Sequence, residues 1–180
     1  MCSVGRILMR LAPVFVLSVS LLAQSGESNK PSEPAANRNN LSPMAWMVGD
    51  WNSQVTPPGA QKPIQIDQHI ASILGGKAFR FTTFFDGVQQ YEGLFAYNAA
   101  NKSINFWYPS ASGEITSGAV SSQSDSLVLD FNVTSANGQV TPFQVHIRPL
   151  SPEEYEWTLF QQNGTAWEQM FSLHYHRARG

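Results

Sequence analysis

The side chains with the most evident chemical potential are two histidines near the C-terminus, His174 and His176. Two positions apart on a strand, they would share a face, where they could chelate a metal ion or one could ligate haem. Their neighbours argue otherwise. Trp167, Phe171, Leu173, Tyr175 and Arg177 have the opposite parity, and that face is the apolar, inward one. Both histidines are therefore expected to face outward. Asp67 and His69 share a face opposite Ile64 and Ile66, and His146 lies between Val145 and Ile147, so the same outward placement follows. No third ligand stands at a recognisable zinc spacing, and no metal site is expected.

Glu92 is the acid whose surroundings would matter most. Asp86-Gly87 separates two apolar runs and marks a two-residue hairpin, since both turn residues must take positive φ. Counted from that turn, Phe85 faces Val88, Thr83 faces Gln90, Phe81 faces Glu92 and Phe79 faces Leu94. If this face lines a cavity, Glu92 stands among phenyl rings beside Gln90 and Thr83. Desolvation would then raise its pKa, and it could anchor a ligand's polar group or act as an acid or base. The alternative puts Tyr91, Gly93, Phe95 and Tyr97 inside and Glu92 in water. Phe79, Phe81, Phe95, Tyr97, Trp107, Tyr108 and Trp157 could line a pocket for an apolar or planar ligand, or simply fill a small barrel. No Gly-x-Ser-x-Gly elbow occurs, and Ser112-Gly113 has no compelling base partner, so a hydrolase triad is unsupported. Gly75-Gly76 precedes a strand rather than a helix, which excludes a phosphate-binding loop. Asn101, Asn132 and Asn163 each open a glycosylation sequon.

The elements that must hold these residues are strands. Ile64, Ile66 and Ile70 alternate with polar residues, as do Phe79, Phe81 and Phe85, and later Leu127, Leu129, Phe131 and Val133. Further strand patterns cover 103–108, 114–120, 140–148, 155–161 and 166–176, with hairpin-type turns at Asn137-Gly138 and Asn163-Gly164. About ten strands result, at the roughly 8–12-residue spacing of an all-β sandwich or barrel. Helical periodicity is confined to a short turn at residues 42–47, for which Ser42 is the expected N-cap and Pro43 the first helical residue. Successive hairpins without a long crossover favour a single antiparallel up-and-down barrel over a Greek-key sandwich.

Before this domain, Arg6 and Arg10 precede a short apolar stretch over residues 11–23, and Ala23-Gln24-Ser25 offers small residues for cleavage. Residues 1–25 read as a signal peptide. The stretch falls short of the roughly 20 residues needed to span a bilayer, so no stable membrane anchor is expected after cleavage. Residues 26–40, rich in Ser, Asn, Pro, Glu and Ala, read as a flexible linker, leaving 41–180 as the folded domain. An exported location, periplasmic or extracellular, follows. Cys2 is the single cysteine and would leave with the peptide, so the domain has neither disulfide nor thiol chemistry. Of 11 basic residues, 9 remain beyond the peptide against 13 acidic ones, with no basic run. Nucleic acid and anionic membranes are thereby disfavoured as partners.

Gly49, Asp50 and Trp51 open the domain and Arg177 lies near its end. The opening segment 41–51 (LSPMAWMVGDW) resembles that of small secreted bacterial lipocalin-like domains. Residues 93–97 (GLFAY), the Phe106-Trp107-Tyr108 run followed later by Gly118, and residues 167–177 (WEQMFSLHYHR) are similar to the same group. The resemblance spans the domain. It implies a calycin-type barrel in which Trp51 covers one end and the Arg177 guanidinium lies on the indole face, so that first and last strands meet. It also implies an internal cavity that commonly holds a small apolar molecule. Nitrobindin-like haem barrels share the Gly-x-Trp opening at a greater distance, and the haem-free relatives are the closer comparison. The expected function is sequestration of a small apolar or amphipathic ligand without a cofactor. The alternatives are an enzyme using Glu92, or a histidine, as acid–base in the same cavity, or a filled barrel whose loops or outer face bind protein.

Overall fold

Aromatic and β-branched side chains at period two commit most of this chain to pleated strands, and glycine-rich turns reverse it at short intervals. A computed structural model of the chain describes residues 40–57 and 59–179. The expected signal peptide, and the expected linker up to its last residue, lie outside the described residues. The strands are β1 (Gly49–Val55), β2 (Ile64–Ile73), β3 (Ala78–Phe85), β4 (Val88–Asn98) and β5 (Ser103–Pro109). They continue with β6 (Ile115–Gln123), β7 (Ser126–Thr134), β8 (Val140–Ser151), β9 (Glu154–Asn163) and β10 (Ala166–Arg177). Each pairs antiparallel with its sequence neighbours and β10 returns to β1, forming a closed ten-strand up-and-down barrel. Closure removes the sheet edges that an open antiparallel sheet would expose.

The closing ladder is short. Strands β1 and β10 share only the pairs Trp51–Arg177 and Asn52–His176, so side chains must reinforce the seam. The Arg177 guanidinium lies 4.2 Å from the centre of the Trp51 ring. Its Nη1 donates to the Val48 carbonyl at 3.2 Å and its Nη2 to the Trp46 carbonyl at 3.1 Å. Gly49 makes room for it: a Cβ there would collide with Nη1 of Arg177, and the backbone stands at φ +135°. The Trp51 indole N–H donates to the Met47 carbonyl at 2.8 Å. This anchors a 3-10 helix, Ser42–Met47, across the barrel end. Its N-cap is Leu41, with no capping side chain, rather than the expected Ser42. From this helix Trp46 meets Trp51 and Tyr155 edge-on, Trp51 and Tyr155 meet in the same way, and Tyr155 stacks on Tyr175 at 4.8 Å.

The β3–β4 hairpin departs from the expected register. Phe85 does face Val88, but one residue beyond Phe84–Gln89 the ladder slips, so that Thr83 faces Tyr91, Phe81 faces Gly93 and Phe79 faces Phe95. The extra residue is Gln90, a β-bulge. Its carbonyl accepts the Ala111 N–H at 2.7 Å, and Tyr91 bridges to Ser110, so the β5–β6 turn holds the bulge open. A second bulge lies between Gln169 and Phe171. Trp167 consequently loses the parity of Phe171: it pairs with Gln162 and does not line the cavity, whereas Phe171 pairs with Leu159 and does, a correction to the expected inward placement of Trp167.

Candidate functional site

Inward-facing rings from successive strands form a girdle around the barrel. Phe81 of β3 packs on Phe95 of β4 at 5.2 Å, Phe95 on Phe106 of β5 at 5.5 Å, Phe106 on Phe131 of β7 at 5.8 Å, and Phe131 on Phe143 of β8 at 5.8 Å. Strand β6 contributes no ring because Gly118 occupies the intervening place. Its missing side chain lets Phe106 and Phe131 meet across it. Gly93 does the same for Phe81 and Tyr108, whose rings meet edge-on at 5.3 Å.

The girdle encloses a cavity of about 270 Å³. Of its lining, Met47 and Tyr175 are buried, Met47 against Trp51 at the closed end, while Phe85, Ser110, Glu114 and Val133 are half-buried and Phe171 is exposed, which marks the open side. The volume, about 270 Å³, falls just below the roughly 300–1,000 Å³ range of small-molecule sites, which suits a small ligand. Polar groups inside are few. Gln68 accepts the Tyr155 hydroxyl at 2.8 Å and extends its amide toward Thr83 at 3.5 Å. Near the mouth stand the phenols of Tyr91 and Tyr108, Thr116, and the half-buried carboxylate of Glu114.

Among the residues singled out from the sequence, Phe81, Tyr108 and Trp157 lie in the cavity wall. Phe79 is inward but buried in the core cluster rather than on the cavity surface. Gln90 is the bulge residue and does not line the cavity. Trp107 is corrected to the outer face, where it pairs with Leu94 and is 51% exposed. Glu92 is corrected likewise. The bulge turns it outward, where its carboxylate is exposed and accepts the Gln89 amide at 3.1 Å. It is therefore unavailable as an acid or base inside the barrel. The acid that does face the cavity, Glu114, was missed. It shares parity with Thr116, Gly118 and Val120, and that phase of β6 was the signal that could have found it.

The histidines stay outside. His69 binds Asp50 at 2.6 Å, His146 contacts Gln144 at 2.8 Å, and His174 reaches Glu154 at 3.1 Å. His176 is exposed, and no histidine lines the cavity. A histidine-ligated haem therefore does not fit this interior. Among the described residues, no group of three His, Cys, Asp or Glu side chains is placed to hold a metal ion.

Burial sets the state of the interior phenols. It pushes Tyr108 up to about 12, against a hydrogen bond with Thr116 and with smaller contributions from Tyr91 and Glu114. Tyr91 is raised by burial and then by Glu114, Tyr155 by burial and then Tyr175, and Tyr175 by burial and then Tyr91. The folded chain thus holds phenolic protons that the unfolded chain releases near pH 10. Stability from these groups is complete below about pH 10 and is lost as pH rises through the folded-state values. Urea unfolding at increasing alkalinity should show a falling free energy, and the phenolate absorbance of these four tyrosines should appear together with loss of near-ultraviolet dichroism. Titration of Tyr91, Tyr108, Tyr155 and Tyr175 at the ordinary value in a chain that stays folded would contradict the burial.

No protein-family model and no curated protein sequence matches this chain. Among solved structures, it is similar to the one described as the crystal structure of Rv2717c from M. tuberculosis, with 17% identity and a TM-score of 0.50. The match covers 78% of this chain and 98% of that one. The likeness is one of fold.

Proposed function

We propose that this chain is an exported, lipocalin-like protein that sequesters a small apolar or amphipathic molecule in its barrel. The observation that carries this reading is the open, aromatic-lined cavity with only a few polar groups. Apolar ligand surface leaving water is stabilised by about 25 cal/mol per Å², and the polar groups set orientation. The free volume favours binding over a filled barrel acting only through its surface. With Glu92 outside, the acid–base reading loses the residue on which it rested. No cofactor, nucleic acid or membrane partner enters the reading. Export rests on Arg6, Arg10, the apolar stretch and Ala23-Gln24-Ser25, and is tested by the N-terminus of the protein recovered outside the cytoplasm.

Native mass spectrometry of the protein purified from its host tests the binding. The expected result is a small-molecule mass retained on the folded protein and released on denaturation. Val133→Trp, which directs an indole into the mouth from a half-buried position, should abolish the retained mass while costing less than about 2 kcal/mol of stability. A protein that carries nothing from its host and excludes added apolar dyes would overturn the reading.

A further inference from the structure

The charge inside the cavity is one-sided. Glu114 lines it near the mouth, and no Lys, Arg or His does so among the described residues. The carboxylate has no ion-pair partner within 4.0 Å among the described residues. Protein donors satisfy it only in part. Ser112 Oγ donates to Oε2 at 3.0 Å, and no described group donates to Oε1. The turn that presents it is itself well fixed. Ser110 Oγ accepts the Glu114 N–H at 3.0 Å, Ser110 N–H donates to the Glu114 carbonyl at 2.9 Å, and the two serine hydroxyls lie 2.7 Å apart. Beside it stand Tyr91 and Tyr108, with ring centres 5.5 Å apart in an edge-on arrangement. The rings are engaged with each other and with Phe81, Phe85 and Phe106, but their phenolic hydroxyls can accept a hydrogen bond from a ligand. A half-buried carboxylate without a basic partner, beside two phenols and facing apolar walls, is complementary to an organic cation.

The geometry points to a ligand whose polar end is a protonated amine or a related cationic donor, carried on a small aromatic or aliphatic body. The cationic end would lie at Glu114 beside the two tyrosines, and the body would sit against the phenylalanine girdle. A fatty acid or other carboxylate is disfavoured twice: it would meet Glu114 as a like charge, and it would find no basic partner inside. This inference rests on the cavity-binding reading and narrows it.

Three probes with the same body separate the possibilities: naphthylmethylamine, naphthylmethanol and naphthylacetic acid. They are titrated against the purified protein by displacement of N-phenylnaphthylamine. The amine is expected to bind at least about tenfold more tightly than the acid, because a charge-assisted hydrogen bond is replaced by like-charge repulsion. Glu114→Gln should bring the two within about threefold of each other, the amine weakening and the acid strengthening. Wild-type protein alone already decides the matter, so the test does not depend on how the variant folds. Equal binding of amine and acid, or a preference for the acid, overturns the inference while leaving the cavity reading intact. A ratio unaltered in folded Glu114→Gln overturns the role of Glu114. Exclusion of all three probes and of the dye overturns both the inference and the reading beneath it.

Discussion

Replacing Trp51 with alanine is expected to destabilise the barrel by about 3–5 kcal/mol, as removal of a fully buried tryptophan does in well-packed cores. Trp51 is 1% exposed. Its ring packs edge-on against Tyr155 at 4.7 Å and Trp46 at 6.4 Å, carries the Arg177 guanidinium, and donates to the Met47 carbonyl. Since β1 and β10 are joined by only two residue pairs, the loss also loosens the seam. A domain of this size commonly has only about 5–15 kcal/mol of stability, so the change is a large fraction of the total. Arg177→Lys should cost less, about 1–2 kcal/mol, because the charge survives while the planar stack and the two-carbonyl fork do not. Urea unfolding of the two variants beside the parent chain measures both. A Trp51→Ala loss below about 1 kcal/mol would show that the pair does not carry closure.

Gly118→Val should be nearly as damaging, at about 3 kcal/mol or more. A Cβ at this position would overlap the Asp130 carbonyl oxygen and the Cα and Cβ of Phe131. Two of these are backbone atoms in the paired strand β7, so no rotamer change can relieve the collision. The Phe106–Phe131 contact would part, breaking the girdle in the strand where no ring replaces it. Gly118→Ala should cost about 1–3 kcal/mol. The valine variant should also take up N-phenylnaphthylamine more weakly, even at temperatures where it remains folded. Unfolding free energies within about 0.5 kcal/mol of the parent would contradict the close approach seen here.

Strand order, closure and the outward histidines could be read from the sequence because they depend on local signals. Asp86-Gly87 and Asn163-Gly164 specify turns, and both residues of the first do take positive φ. The parity of Leu173, Tyr175 and Arg177 fixes that of His174 and His176. The cavity could be read less well, for a physical reason. Gln90 carries no bulge signal of its own; its place is set by a hydrogen bond from Ala111, some twenty positions along the chain. That single insertion exchanged Glu92 for Tyr91 on the inner face. Trp107 and Tyr108 are adjacent, so only one of them can face inward. Both are aromatic, and residue type alone could not choose. Ile104 and Phe106, both buried, give the phase that selects Tyr108. Glu114 escaped notice because it precedes β6 at a turn, where a carboxylate is ordinarily solvated.

Titration of N-phenylnaphthylamine into the parent chain and Val133→Trp tests most directly whether the cavity takes up a small apolar-bodied molecule. Saturable, one-to-one enhancement of dye fluorescence by the parent is expected, weakened at least about tenfold in the tryptophan variant with its fold intact. A folded parent chain that gives no saturable signal, or a Val133→Trp chain that binds the dye equally well, would contradict that uptake.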